Sequence, residues 1–515
     1  LRGRLQPQKQ DRMLTAGLSA PLYPVGPCRL DRVPLFRGTN RQPVPRRHDR
    51  ETDMSFDWEN AAEVALATAL AGYPEVGVGL GAMVYVFWPH SGEDVWSEIR
   101  EKVEELVDQK LATYTYDRVQ DSLKGLRSNL NDYLAAAASK DLDVTGQAWM
   151  VAAGDFDQQL PSFQASGYEV VLLPLFAQFA NLNLMLLRDG VSAGKSWGWT
   201  AAYQDVVRKK LADKIAAYSS YADTTFKKGL EQRIKAVKRD DHLCEPFRTL
   251  NRFTREMTLN TLDFKNLWPY LDPVKYPTPV RVYLDREIYS DPVGSCDGSG
   301  PIQLPKPPRQ LPTQIHVWGG DRIDAIQMTY GDGGGPNGEA QTPRMGNQNG
   351  GSDQLPHGTW LWTIGNPIVT AKGRSGDILN SFEFLFRGHQ TSGPLAGSSH
   401  GNTPDGSPFE FNYRRHVMSS IWINGVSPFY GSADCAVFGF KYDPDWKPDT
   451  AALRLLYIGS PAPVTLDQLL ARHLLPGHPT VALITESEDW KAERQAFWQS
   501  VRGSTSSRSV GMPAD

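Results

Sequence analysis

The sequence predicts a multidomain α and β chain: an all-α helical bundle built round one central apolar helix, followed by a β-prism. Three observations carry that reading. The stretch Val170–Leu187 contains no charged residue, and at about 1.5 Å per helical residue it approaches the thickness of a bilayer's hydrocarbon core. Amphipathic stripes with apolar spacings of three to five flank it on both sides. Beyond Tyr276 the texture changes to Pro, Gly and short alternating runs, three of which (IDAIQM from Ile323, LNSFEF from Leu379, CAVFGF from Cys435) are equally spaced and in the same phase. Three equivalent units would each turn one face inward to close a shared core.

Composition narrows the function classes. A chain of 515 residues exceeds one hydrophobic core, so two or three domains are expected. With 54 basic and 58 acidic side chains, and a net charge of −4, there is no electrostatic case for a nucleic-acid partner. The four cysteines, Cys28, Cys244, Cys296 and Cys435, are far apart in sequence, which predicts neither a zinc site nor a disulfide framework. The histidines are scattered singly, and no nucleophile stands at a telling distance from a base. The expectation is therefore a protein that is not an enzyme, with no cofactor and no metal.

Residues 1–55 read as a disordered basic arm or leader. Up to residue 53 they carry ten Arg and one Lys against five acids, with seven prolines and no apolar h-region of a secretory signal. The Arg46-Arg47 pair is the expected site of proteolytic activation, because an unstructured basic segment offers proteases easy access. Residues 56–272 form the predicted bundle. Asp57–Ala71 and Val76–Trp88 are apolar but split by Pro74 and Glu75. A long amphipathic stretch follows through Trp96, Ile99, Val103 and Leu106 to Leu126, Leu130 and Tyr133. Then come Thr145–Leu160, which Gly154 is expected to interrupt, the central helix, Ala201–Val237, and a last helix at about Glu245–Leu267 that ends at Pro269. Residues 273–312 are expected to be a connector, 313–445 the prism, and 446–515 a tail of strand, helix, strand, helix pattern with no assignable role.

The central helix is impure. Pro174 lies near its start, and Gln178, Asn181 and Asn183 lie in its middle, where amides in lipid must meet water or a neighbouring helix. On periodicity alone it fits either the core of a soluble bundle or a membrane-active segment. Val170, Leu175, Leu184 and Leu187, with the three amides, are the residues expected to act in membrane insertion and the pore. The adjoining GVSAGKS (Gly190–Ser196) ends like a phosphate-binding loop. It has one residue too few between its glycines and follows a helix, so a helix-to-helix turn is expected instead.

Three blocks carry a family resemblance. LLPLFAQFANLNLMLLRDGVSAGKSWGW (Leu172–Trp199) resembles the central-helix block of the δ-endotoxins, the three-domain insecticidal Cry toxins of Bacillus. LNRFTREMTLNTLDFKNLWPYLDPVKYPTPVRVYLDREIYSDP (Leu250–Pro292) resembles the family's last bundle helix and its crossing into the second domain, and YSSYADTTFKKG (Tyr218–Gly229) stands between them in order. The prism's GGDRIDAIQMTYGDG (Gly319–Gly333) is similar to the jacalin strand signature.

The resemblance implies a pore-forming toxin lacking the usual third domain. It would be released from, or stored in, the producing cell and would carry no resident membrane span. It would act at the target-cell membrane, dock there on a receptor or glycan through its prism, insert an amphipathic hairpin made with the preceding helix, and self-associate. Recognition is expected of the prism loops Gly331–Gly351, His389–Pro408 and Asn424–Ala433. In the last of these, Phe429 and Tyr430 beside Asp434 make an aromatic face next to a carboxylate, a common sugar or receptor grip. A non-toxic lectin or adhesin, with the bundle as a stalk, is the alternative.

Overall fold

In the computed structural model of the chain the described residues are 62, 66, 76–89, 94–237, 244–277, 280–296, 302, 304–331, 333–348, 359–388, 390–395, 399–400, 403–428, 430–443 and 480–485. Helices α1 (Val78–Phe87), α2 (Val95–Val107), α3 (Thr113–Ser139), α4 (Leu142–Gln159), α5 (Glu169–Ala193), α6 (Ala201–Ala236), α7 (Cys244–Met257) and α8 (Asp263–Leu267) precede every strand. Three of their starts follow the usual capping chemistry. Asp94, Asp141 and Thr200 each accept a hydrogen bond from the backbone N–H three residues on, satisfying donors that the first turn leaves open.

α5 is the axis of the bundle. It contacts α1, α2, α4, α6 and α8, and every residue from Val170 to Leu187 is buried, so its apolar surface meets side chains on all sides. α3 stands one layer out and packs chiefly on α4. Gly154 does not interrupt α4, which runs unbroken from Leu142 to Gln159 with Gly154 over open space. A helical glycine costs about 1 kcal/mol against alanine, too little to break a helix anchored by buried Trp149, Ala152, Ala153 and Phe156. The last bundle helix widens into a π turn at Thr258–Leu262 before α8, and a 3₁₀ turn at Trp268–Leu271 ends it at Pro269.

The strands that follow form a β-prism of three antiparallel sheets. Labelled in chain order, they are β1 (Val280–Asp285), β2 (Glu287–Tyr289), β3 (Val293–Gly294), β4 (Gln314–Gly319), β5 (Ile323–Thr329), β6 (Met345–Gly346), β7 (Thr359–Thr363), β8 (Ile368–Ser375), β9 (Leu379–Phe386), β10 (Ser399–His400), β11 (Thr403–Pro404), β12 (Ser407–Phe411), β13 (His416–Val426), β14 (Ala433–Tyr442) and β15 (Thr480–Thr485). The sheet orders are β6-β5-β4-β7, β12-β8-β9 and β13-β14-β2, with β3 also paired to β14. The three equally spaced runs fall one in each sheet, as β5, β9 and the body of β14. Ile326, Phe382, Phe384, Phe438 and Phe440 from them meet in one core. β10 and β11 make a separate small ribbon, and β1 pairs in parallel with β15.

The prism starts earlier than its repeat predicts. Residues 287–294, expected to be connector, supply β2 and β3 to the third sheet. That sheet is buried on both sides. β5 alternates buried and half-buried residues, whereas β14 is buried from Ala433 to Lys441. Its inner face joins the prism core, and its outer face, through Cys435 and Val437, packs with Phe247 and Cys244 of α7.

Polar groups seal the join between the two parts. Arg286 is paired bidentately with Asp263 of α8 and donates from Nη1 to His416 Nε2 at 2.5 Å. His416 Nδ1–H donates to the Arg414 carbonyl at 2.6 Å. A carbonyl can only accept and a guanidinium can only donate, so the imidazole is held neutral in one tautomer. Burial, reinforced by the Arg286 and Arg415 charges and only partly opposed by the Arg414 carbonyl, pushes His416 well below the ordinary imidazole value.

The sign of the linkage follows. As pH falls through about 6.5 the unfolded chain takes up a proton that folded His416 refuses, so stability declines on the acid side by at most about 1.4 kcal/mol per pH unit. His416→Gln is expected to flatten the fall in thermal midpoint between about pH 6.5 and 5 relative to the parent chain. Parallel midpoint curves for the two proteins would place that proton uptake elsewhere.

Candidate functional site

The residues expected to act at a membrane all lie on α5. Val170, Leu175, Leu184 and Leu187 are buried in the bundle core, as are Gln178, Asn181 and Asn183. The amides bond on two sides of the helix. Toward the last bundle helix, Gln178 Nε2 donates to the Asn260 carbonyl at 3.2 Å, Asn181 Nδ2 donates to Gln178 Oε1 at 2.8 Å, and Trp268 Nε1 donates to Asn181 Oδ1 at 2.7 Å. Asn260 lies in the π turn, where the widened backbone offers a carbonyl outside the regular helical ladder. Toward α6, Tyr218 O–H donates to Asn183 Oδ1 at 2.9 Å, while the buried Asn183 Nδ2 has no hydrogen-bond partner among the described residues.

At its C-terminal end α5 is fixed differently. Buried Asp189 accepts from the Gly77 backbone N–H and from the Tyr133 hydroxyl, both at 3.0 Å, tying the helix to α3 and to the residue before α1. Asp189 was not singled out from the sequence, although a carboxylate placed directly after an apolar run is the signal that marks it. Trp149 of α4 donates its indole N–H to the Leu186 carbonyl at 2.6 Å. GVSAGKS is the end of α5 and the turn after it. A Cβ on Gly190 would come within 2.5 Å of the Trp149 ring, and one on Gly194 within 2.3 Å of Trp199, so these glycines make room for indoles.

On the prism the expected loops only partly converge. The Asn347 amide donates to the Gly431 carbonyl, joining the first and third loops, and the guanidinium of Arg322, in the turn between β4 and β5, lies over the Tyr430 ring at 5.7 Å. Tyr430 is exposed. Residues 390–395 instead run along β9 through the Phe382–Leu395 and Leu385–Thr391 bridges. Asp434 corrects the expected aromatic-carboxylate face. β14 begins at Ala433, so Asp434 is already a strand residue. It is fully buried and accepts from Ser295 Oγ at 2.7 Å, which leaves it no surface for a ligand. Phe429, Arg46 and Arg47 lie outside the described residues.

Two of the cysteines, whose spacing indicated no disulfide framework, form a disulfide, Cys244–Cys296, with Cα atoms 5.9 Å apart. Their separation of 52 residues, across the change from helix to strand, left no local spacing to read.

Residues 65–272 match the family model described as the delta endotoxin N-terminal domain. The helical part of this chain is thus similar to a delta-endotoxin N-terminal domain. Over 286 residues the chain is 32% identical to the pesticidal crystal protein Cry1Id of Bacillus thuringiensis, a match covering 51% of this chain and 39% of that one. It therefore spans well under half the length of this curated relative. In fold the likeness extends through the prism. The crystal structure of the insecticidal crystal protein Cry7Ca1 of Bacillus thuringiensis is similar with a TM-score of 0.64 over 76% of both chains at 19% identity. The crystal structure of PirB is similar with a TM-score of 0.59, at 14% identity, over 76% of this chain and 95% of that one.

The bundle's amide network yields a test. Asn181→Leu strands the Trp268 N–H and the Gln178 carbonyl oxygen in the core, where each orphaned group costs about 1–3 kcal/mol. Urea unfolding is expected to show that loss, with part of it recovered in the Asn181→Leu/Trp268→Phe pair. A single variant as stable as the parent would mean the network contributes nothing to the closed bundle.

Proposed function

We propose that this protein is a pore-forming toxin of the delta-endotoxin kind. It docks on a target-cell receptor or glycan through the prism, inserts the α4–α5 hairpin into the membrane, and assembles with further copies into a water-filled pore. One observation carries the reading: α5 is long and apolar enough to cross a membrane, yet its apolar stretch is wholly buried inside a ring of amphipathic helices. Three amides lie on it, and one of them leaves a buried N–H without a partner among the described residues. In a pore those amides would face water or a neighbouring helix.

α4 fits the same reading. Its inner face packs on α5, while Leu142, Val144, Met150 and Val151 are exposed on its outside. It is thus apolar on two sides, which suits a helix that exchanges water for lipid. The Trp149 bond to the Leu186 carbonyl lies inside the hairpin and would travel with it. The links through Trp268, Tyr218 and Asn260, and those of Asp189 to Gly77 and Tyr133, must open. Lys210 and Lys214 of α6, at 2.7 and 2.8 Å from Asp157 of α4, also hold the hairpin to the bundle, but partly exposed pairs of this kind resist separation only weakly.

Dye release from liposomes and from target-cell membrane vesicles tests the proposal. Full-length protein and protein trimmed after Arg47 are expected to release dye, the trimmed form at lower dose. The Asn181→Leu/Trp268→Phe pair is expected to bind vesicles but conduct poorly in planar bilayers. Binding without leakage by both parent forms would favour a lectin or adhesin whose bundle is only a stalk.

Recognition is assigned to the exposed Tyr430 and its partner Arg322, with Asp434 left as a structural residue. Tyr430→Ala is expected to weaken binding to target membranes several-fold with an unchanged thermal midpoint. Undiminished binding removes this loop from the docking face.

A further inference from the structure

The disulfide between Cys244 and Cys296 has a third sulfur beside it. Cys435 of β14 is outside any disulfide, and the Sγ atoms of all three residues lie within 4.8 Å of one another, each in a buried residue. Around them are Phe247, Tyr289, Ile302 and Val437, with Trp422 half-buried at the edge. The titratable neighbours are Tyr289 in the same cluster, Asp434 adjacent to Cys435 and bonded to Ser295, and Glu245 adjacent to Cys244 and paired with Arg248. The Cys435 thiol donates to the Asn424 carbonyl at 3.7 Å.

The three cysteines are not equivalent in the fold. Cys244 is the first residue of α7 in the bundle. Cys296 follows β3 in the prism, and Cys435 sits in β14, where it is in register with Gly294 of β3. The Cys244–Cys296 bond therefore crosses from one part of the chain to the other, whereas a Cys296–Cys435 bond would lie within the prism between segments already hydrogen-bonded as neighbours.

We propose that these cysteines form an exchangeable disulfide: the bond that staples α7 to the prism passes to Cys435 and releases Cys244. The Cys435 thiol gives up its proton, and its sulfur attacks Cys296 Sγ. A Cys296–Cys435 bond forms, the Cys244–Cys296 bond breaks, and the departing electron pair stays on Cys244, which takes a proton. One disulfide is lost and one is gained, so no external oxidant or reductant is required. Because the attacking sulfur is already beside the bond, burial does not hinder the step as it would hinder an external thiol. After exchange, the backbone itself aside, α7 and α8 are held to the prism by non-covalent links. Among the described residues these include Asn251 to the Tyr289 and Ser290 carbonyls, Arg255 to the Tyr289 carbonyl, Arg252 and Arg255 to Asp291, and the Arg286–Asp263 pair.

Disulfide mapping of the full chain tests this. Protein incubated between about pH 7 and 9 is quenched in acid, alkylated and digested without reduction before mass spectrometry. The expected result is a Cys296–Cys435 cross-linked peptide together with alkylated Cys244. Its initial rate should rise roughly tenfold per pH unit below the thiol pKa, since the thiolate is the nucleophile. Cys435→Ser should hold the Cys244–Cys296 bond alone at every pH, and hydrogen exchange in 244–257 should be faster in the exchanged form than in this variant. Should Cys435→Ser fail to fold, the time course in the parent chain decides by itself. Only Cys244–Cys296 with alkylated Cys435 throughout, or exchange that leaves protection of 244–257 unaltered, overturns the proposal.

Discussion

The structure depends on keeping α5 dry. A helix with no polar face has no orientation it can offer to water, and the chain's answer is to surround it: α1, α2, α4, α6 and α8 each spend their apolar stripe on it. The amphipathic pattern of the flanking helices is thus a consequence of the central one. So are the details of the contact. The indoles of Trp149 and Trp199 close over Gly190 and Gly194 because the turn leaving α5 has to be as tightly packed as the helix itself.

The amides make this enclosure conditional. A purely hydrocarbon helix would be held by area alone, which is strong but undirected. Gln178, Asn181 and Asn183 add directed bonds to particular partners, two toward the last bundle helix and one toward α6. The same last helix carries the links to the prism on its other surface, through Asn251, Arg255 and Asp263. One wall is therefore shared by the part that is proposed to insert and the part that is proposed to dock. That arrangement also explains why β14 is buried on both faces from Ala433 to Lys441.

Much of this was legible in the sequence. The charge-free run gave α5, the stripes gave its neighbours, and the equal spacing of Ile323, Leu379 and Cys435 placed one strand in each of three sheets. The misses have physical reasons. Gly154 was read as a break because propensity was weighed without the packing of Trp149 and Phe156 that overrides it. Asp434 was placed at a surface because it was read as the end of a loop beside Phe429 and Tyr430, whereas β14 already begins at Ala433 and buries Asp434 against Ser295. Residues 287–294 passed for a connector because two short strands completing another sheet carry no periodicity of their own. The Cys244–Cys296 pair joins segments that only the tertiary fold brings together. The surface of the prism, where Tyr430 stands over the Asn347–Gly431 contact, was legible only as a set of loops, since side-chain exposure at loop tips is decided by backbone turns rather than by pattern.

The parallel pairing of β1 with β15 sets an order of events during synthesis. Val280 to Asp285 emerge directly after the bundle, yet their partners Thr480 to Thr485 come only after the whole prism has been made. The bundle's core is complete once Leu284 has been made and can form while the chain is still growing, whereas the edge of β1 must stay open until the ribosome has passed residue 485. Long-range parallel pairing is slow for this reason, and waiting edges invite association with other chains. The last ladder to close is thus the one nearest the junction of the two parts, so a chain stalled before residue 480 would present a finished bundle carrying an unfinished seam.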